Sequence, residues 1–418
     1  MVVMVKQPNH TFILLLLFTL ISASASASAS ATPVVTRFQQ YLRINTAHPH
    51  PDYSTAVSFL DGLAKSIPIP NLLHTRTLYL TTPQKPLLLV TLPGSNPSLP
   101  SILLNSHLDS VPTEPSKWSH PPFSAVRTHD GNIFARGAQD DKCIAIQYLE
   151  AIRNILHKDP GFRPIRTLHI CYVPDEEIGG LDGMARFVES QEFRDMNVGF
   201  FLDEGHASLN DEYWVFYADR SPWNLVIKAT GQPGHGSRMF DNSAMENLMK
   251  SVEPSEAEAG YDVRLPPTVD PDLLKKRIAD EWAPATRNVS YHIVEKGPLR
   301  DYMGRPLITT TNDSNPWWTV FKHAVEACGG KLSKPEILAS TTDARYMRFR
   351  GIPTFGFSPM KNTPILLHDH NEFLKDTVLL EGIKVYEIKA LTSFEGAHLL
   401  NNDQFPGILF EFHISMYE

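Results

Sequence analysis

Cysteine is scarce in this chain. Cys143, Cys171 and Cys328 are widely spaced among 418 residues, which excludes a disulfide framework and any Cys-x-x-Cys metal pair. Cys143 falls in a helical pattern and Cys171 in a strand pattern, so both are expected as apolar packing groups. A basic cluster is also lacking. Lysine and arginine number 38 against 46 acidic residues, a mildly acidic balance without the stripe that a nucleic-acid surface needs. Long apolar runs are missing beyond the N-terminus, so no later segment is expected to cross a membrane. There are no internal repeats, and the one low-complexity tract is a Ser-Ala stretch near the start.

What is present begins there. Lys6 precedes the apolar run "TFILLLLFTLI", and "SASASASASAT" follows with small residues in an Ala-x-Ala pattern. That order is the signature of a secretory signal peptide, expected over residues 1–31 with cleavage near Ala25–Ala31. Its apolar core, about 11 residues, is short of the roughly 20 that span a bilayer. The expected location is the secretory pathway, in the endoplasmic reticulum or outside the cell, with no membrane attachment after cleavage. Asn288-Val-Ser290 and Asn312-Asp-Ser314 match the glycosylation acceptor pattern that such a route would use.

Apolar content of 42% allows a sizeable core and more than one domain. "KPLLLVTLPG" and "SILLNSH" read as buried strands, and "DKCIAIQYLEAIRNILHK" as a helix with Ile144, Tyr148, Ala151, Ile152 and Ile155 on one face. The strand "RTLHICYV", the short helix "GLDGMARFVES" and the strand "VGFFLD" follow. This alternation predicts an α/β layer with a mostly parallel sheet. Near residue 220 the pattern changes: "WNLVIKATGQ" and "AEAGYDVRLP" alternate as half-exposed antiparallel strands do. From Pro316 the α/β pattern returns with "PWWTVFKHAVEACGG", "PTFGFSP" and "TVLLEGIKVYEIKALTS". The expected organisation is a catalytic domain in two parts, 32–218 and 314–418, with an α+β lid or dimerisation domain inserted at 219–313.

Polar residues gather where apolar runs end. "ILLNSHLDS" supplies His107 and Asp109, "FARGAQDDK" supplies Asp140, "CYVPDEE" supplies Glu176 and Glu177, "FFLDEG" supplies Glu204 and "ILLHDHNE" supplies His368. Open parallel sheets bind ligands beyond the carboxyl ends of their strands, so these residues should share one rim. Each has an ordinary alternative: a surface His-x-Asp pair, a helix cap at Asp140, a solvated acidic loop, a plain turn. Their joint occurrence, each at the same topological place, favours a divalent metal site with mixed nitrogen and oxygen donors, zinc above others.

The stretches "NSHLDSVP", "FARGAQDDK", "PDEEIGG", "LDEG", "GQPGHGSR", "TNDSNPWW", "TDARYMR" and "GFSPMKNTPILLHDHNE" together resemble the aminoacylases of the dizinc aminoacylase/carboxypeptidase metallopeptidase family. The resemblance runs in unbroken order through most of residues 33–390. It implies two Zn2+ per chain, one held by His107 and Glu204, the other by Glu177 and His368, with Asp140 bridging both. It further implies that Asp109 accepts the free imidazole N–H of His107 and that Glu176 is the general base. The activity implied is hydrolysis of N-acyl-L-amino acids to a carboxylate and a free L-amino acid. His235, between glycines in "GQPGHGSR", is the candidate donor to the oxyanion; in relatives the matching histidine comes from the small domain of a second subunit, so a homodimer is implied. Arg345 in "TDARYMR" is the first candidate for the substrate carboxylate, Arg264 in "YDVRLPP" a second, and the "GFSP" backbone from Gly356 a third.

The chain also departs from that family. "DNSAMENLMKSVEPSEAEAGYDVR" joins the His235 region to the next strand directly, where the resemblance implies a helix, two strands and a loop between them, so the insert is expected to be shortened near 250–255. Asp141 stands where relatives carry an apolar residue, His206 is an extra histidine near the site, and the tail from Phe394 is unlike the family's ending. Two further readings follow: a dipeptidase or other deacylase of the same family, or a metal-binding form impaired in catalysis by its incomplete lid.

Overall fold

The computed structural model describes residues 32–68, 72–231 and 256–389. The signal-peptide segment, His235, the junction near 250–255 and the C-terminal tail lie outside the described residues. In chain order the elements begin with helices α1 (Pro33–Leu42) and α2 (Tyr53–Lys65) and strands β1 (His74–Leu78), β2 (Leu87–Leu92) and β3 (Ser101–His107). Next come the short strands β4 (Val126–Arg127) and β5 (Asn132–Phe134), the long helix α3 (Lys142–Lys158), β6 (Leu168–Val173), the single turn α4 (Met184–Phe187) and β7 (Val198–Asp203). Strands β8 (Phe216–Asp219), β9 (Ser221–Thr230) and β10 (Glu256–Leu265), helix α5 (Pro271–Arg277) and β11 (Val289–Glu295) follow. The last part holds α6 (Pro316–Ala327), β12 (Glu336–Leu338), α7 (Ala344–Phe349), β13 (Thr354–Gly356), β14 (Phe373–Lys375) and α8 (Asp376–Lys389).

Eight strands form one sheet in the order β1-β2-β6-β3-β7-β13-β8-β12. At its centre β6, β3, β7 and β13 run parallel, while β2 beside β6 and β8 beside β13 are antiparallel. All seven residues of β3 and all six of β6 are buried, because helices cover both faces and the strand pleat sends successive side chains to opposite sides. One face packs Leu88, Ile102, Leu104, Ile170, Tyr172 and Leu202 under α1, α2, α3, α6 and α8. The other packs Leu89, Leu103, Cys171, Val173 and Phe201 against α4 and α7. Cys143 and Cys171 are buried free thiols, as their apolar settings suggested.

Helix α3 carries this layer. Its predicted apolar face is buried at Ile144, Tyr148, Ala151 and Ile152, and it lies against α8, with the Tyr148 and Tyr386 rings 4.6 Å apart. Among the described residues, no helix is long and apolar enough to cross a membrane.

A second, three-stranded antiparallel sheet has the order β10-β9-β11. Leu225, Ile227 and Ala229 of β9 pack on one face against Ile278 and Ala283, making a small core separate from the large one. Only Arg220 stands between β8 in the large sheet and β9 in the small one. The chain comes back through a crossing in which Thr309 N–H donates to the Tyr217 carbonyl at 2.9 Å.

Candidate metal centre

Three parallel neighbours deliver their polar residues to one rim. His107 is the last residue of β3, Glu204 follows β7 by one position, and Asp175 to Glu177 follow β6. Asp140 immediately precedes the α3 N-cap, Asp141, and His368 stands in the turn that leads to β14. A third small sheet, β14-β5-β4, sets that turn beside the Asp140 segment by pairing Phe373 with Phe134.

Two groups of three converge: His107, Asp140 and Glu204, and Asp140, Glu177 and His368, each with ligand atoms within 4.8 Å of one another. His107 Nε2 lies 3.0 Å from Asp140 Oδ1 and 3.7 Å from Glu204 Oε1. His368 Nε2 lies 3.1 Å from Asp140 Oδ2 and 3.0 Å from Glu177 Oε2. Asp140 thus turns one carboxylate oxygen to each imidazole. His107, Asp140 and Glu204 are buried, whereas the His368 side chain is 55% exposed, so the cluster opens to solvent on the His368 side.

These residues fit a pair of divalent cations. Glu177 Oε1 is buried and, among the described residues, has no hydrogen-bond partner. His107 Nδ1 is 3.0 Å from the Asp109 carbonyl, so it carries the proton, and Nε2 is left with a lone pair facing carboxylates. Burial, then the Asp140 charge, raises the carboxyls of Glu177 and Glu204 above their ordinary range. Hydrogen bonds to Asp140, then Glu177, push His368 up to about 10. A crowd of buried carboxylates and imidazoles with such shifts is short of positive charge, which bound cations supply.

The surrounding residues fix these groups, and one sequence expectation changes here. Asp109 receives the His107 N–H through its backbone carbonyl, while its carboxylate stands 3.5 Å from the ring. That carboxylate instead accepts the backbone N–H groups of Glu176 at 3.1 Å and Glu177 at 3.0 Å, with His48 Nε2 at 2.9 Å. Against the cost of burial, the neighbouring His107 and His48 rings hold Asp109 down at about 2. The acidic pair does not continue strand β6. Glu176–Ile178 is a 3₁₀ turn between Asp175 (φ 67°) and Gly179 (φ 109°), so the two carboxylates diverge through the 120° step of that turn rather than through a strand pleat. The Tyr53 hydroxyl braces its start by donating to Asp175 Oδ1 at 2.7 Å.

A second brace joins the Asp140 and His368 segments. The buried Glu372 carboxylate accepts from Arg136 Nη1 at 2.7 Å, Gly137 N at 3.0 Å and Gln139 N at 2.7 Å. Gln139 Nε2 donates in return to the carbonyls of Pro364 and Phe373 at 3.0 and 2.8 Å. Glu372 and Gln139 stood in the motifs without an assigned role. His48 and Tyr53 were missed, and no local signal marks them, since a histidine and a tyrosine near a helix start are ordinary residues.

The remaining candidates separate. Arg345 is buried, and its terminal nitrogens donate to the carbonyls of Thr342 at 2.9 Å and Gly179 at 2.6 Å. Those donors are committed to main chain rather than open to a substrate carboxylate. Arg264 pairs on the surface of the small sheet with Asp262 at 2.8 Å and is not brought to the cluster. Gly356 lies in β13 between Asp203 and Phe216, and the next N–H, of Phe357, donates to the Asp203 carbonyl. Asp141 is buried behind His107, accepts from Ser106 Oγ at 2.8 Å and is pushed up to about 7 by burial. His206 sits half-buried with its ring against Phe216.

With this geometry in hand, comparisons with known proteins are informative. Residues 103–390 match the pattern of the peptidase family M20/M25/M40. The chain is 39% identical over 395 residues to aminoacylase-1 of Mus musculus, covering 85% of this chain and 93% of that one. It is 38% identical over 405 residues to aminoacylase-1 of Dictyostelium discoideum, covering 84% and 95%. Among solved structures, a dinuclear metal-binding peptidase of Bacillus subtilis superposes with a TM-score of 0.56 at 15% identity, over 87% of this chain and 99% of that one.

Proposed function

The chain belongs to the peptidase family M20/M25/M40, and from that membership we propose that it is a dizinc amidohydrolase cleaving N-acyl-L-amino acids to a carboxylate and a free L-amino acid. One observation carries the reading: two ligand triads share Asp140 beside a buried glutamate that neither triad uses. The 39% identity to an aminoacylase across nearly its whole length supports the substrate class.

His107 and Glu204 would hold one cation, Glu177 and His368 the other, with Asp140 spanning both. Bound there, a divalent pair supplies Lewis acidity and lowers the pKa of water towards neutrality. Glu176 takes the proton from the attacking water and returns it to the leaving amine nitrogen. Burial, then repulsion from Asp343, holds its carboxyl well above the usual range. The Asp109 carboxylate fixes Glu176 through its backbone N–H, and the Asp109 carbonyl fixes the His107 ring. To His235 we assign the hydrogen bond to the developing oxyanion. The leader at residues 1–31 supports a place in the secretory pathway, which N-terminal sequencing of the mature protein checks. Family membership supports a homodimer, which light scattering checks.

The test is direct. Purified protein should carry about two zinc per chain and release acetate and methionine from N-acetyl-methionine. One observation favours a second reading, metal binding without turnover: the match to the Mus musculus relative spans 395 residues yet draws on only 85% of this 418-residue chain. Part of that relative therefore has no counterpart here. Full zinc loading without hydrolysis would support this second reading against the first.

A further inference from the structure

The segment that carries Glu176 and Glu177 does not hold its own shape. Asp175, Gly179 and Gly180 all take positive φ, at 67°, 109° and 66°, in a stretch of six residues, and a left-handed aspartate is a conformation sustained only by its surroundings. On one side the support is Asp109, which takes the two N–H groups. On the other side it is α7. The Tyr346 hydroxyl and Arg345 Nη2 each donate to the Gly179 carbonyl, both at 2.6 Å, filling both lone pairs of one oxygen. The Arg345 guanidinium lies 4.7 Å over the Tyr346 ring, and its Nη1 is tied to the Thr342 carbonyl just before α7. Tyr346 and Arg345 are buried. Asp343, the residue before α7, closes the same side: a Cβ on Gly180 would meet its Oδ1 at 2.5 Å. Two strong donors on one carbonyl, at the far end of a turn whose near end bears the base, is more than local packing requires.

We propose that Tyr346 and Arg345 are positioning residues that grip the Gly179 carbonyl and so set the Glu176–Glu177 turn in register with Asp140 and His368. The proposal rests on the reading of Glu176 as base and Glu177 as a metal-holding residue. It gives Arg345 a task different from binding the substrate carboxylate. Its signature is asymmetry: of the two cation positions only the one shared by Glu177 and His368 depends on this turn, since His107 and Glu204 stand at the ends of β3 and β7.

The experiment uses the full chain with Tyr346→Phe, which keeps the ring under Arg345 and removes only the hydroxyl. Zinc is titrated into metal-free protein, and N-acetyl-methionine kinetics and thermal midpoints are recorded in parallel. The expected result is a loss of about 10-fold in affinity for one of two zinc ions and about 10-fold in kcat, with KM and the thermal midpoint of the metal-free protein unchanged. Arg345→Lys, which keeps the charge and one donor, should fall between wild type and Arg345→Ala in both readouts, and it decides the matter if Tyr346→Phe fails to fold. Wild-type affinities and kcat in Tyr346→Phe would overturn the proposal. So would an equal weakening of both zinc ions together with a lowered thermal midpoint, which marks mere structural support. If wild type binds two zinc but hydrolyses no N-acyl amino acid, the amidohydrolase reading fails alone, and the zinc titration still decides this proposal.

Discussion

Glu176 and Glu177 are neighbours with different surroundings, and what separates them is the backbone between two clamps. The 3₁₀ turn points Glu177 at His368, 3.0 Å away, and leaves Glu176 buried without a place in either triad. Glu176→Gln preserves shape and removes the proton acceptor. It should lower kcat about 10²- to 10⁴-fold with zinc content unchanged, read by steady-state kinetics alongside metal analysis; wild-type turnover would remove Glu176 from the mechanism. His48 acts one step further out, through Asp109. His48→Ala should weaken zinc binding or activity about 10-fold, and His48→Gln, which can still donate to the carboxylate, should recover part of it. Of the clustered residues, His107, Glu177 and Glu204 were legible at this scale because each follows an apolar run that became a central strand. His48 and Tyr53 were not, because their significance is a contact with Asp109 or Asp175, far away in sequence.

At the scale of elements, the brace around Glu372 decides how accurately Asp140 and His368 face each other. Arg136 and Glu372 are both buried and paired at 2.7 Å, so truncating the acid leaves a guanidinium uncompensated. Glu372→Ala should cost about 3–5 kcal/mol of stability in urea unfolding, and Glu372→Gln, whose one acceptor oxygen can keep the N–H of Gln139 or that of Gly137 but not both, somewhat less. Equal losses would show that the charge, rather than the accepting geometry, supports the turn. Periodicity located the long helices α3, α6 and α8 and the central strands. It did not find β12 or the three short strands of the β14-β5-β4 sheet, since two- and three-residue strands carry no measurable alternation and form only when a partner is already in place; β1, five residues with only Leu78 buried, offers no apolar run. The 3₁₀ form of the acidic turn was not legible for a related reason: it rests on contacts with Asp109 and Tyr53, distant in sequence.

For the whole molecule, solution conditions act through buried titratable groups and through the metal centre. His169 in the middle of β6 is buried, and burial pushes it down to about 4 from an ordinary 6.5. Between those values the unfolded chain takes up a proton that the folded chain refuses. Stability therefore falls as pH drops from about 6.5 to about 4, by up to roughly 3 kcal/mol from this group. A His169→Gln variant should close on wild type, or pass it, as pH falls through that window in urea titrations; a constant difference from pH 7 to pH 4 would refute the assignment. Chelation should act in the same direction at neutral pH. Removing cations from so many buried carboxylates should lower the thermal midpoint by several degrees, equivalent to about 4 kcal/mol when metal stands at a thousand times its dissociation constant.

The sequence by itself determined the chemistry on offer. Donor types, their placement after buried strands and a resemblance spread over most of the chain suffice for a two-metal hydrolase, because strand ends in a parallel sheet must meet on one rim. Only the tertiary structure decided how that chemistry is held. It put the Asp109 carboxylate on the N–H groups of the glutamate turn, gave Arg345 to the Gly179 carbonyl and tied Glu372 to the Asp140 segment. Those choices depend on which backbone groups come within hydrogen-bond distance after the layers have packed, and residues 67 to 233 positions apart leave no pattern in one another's sequence.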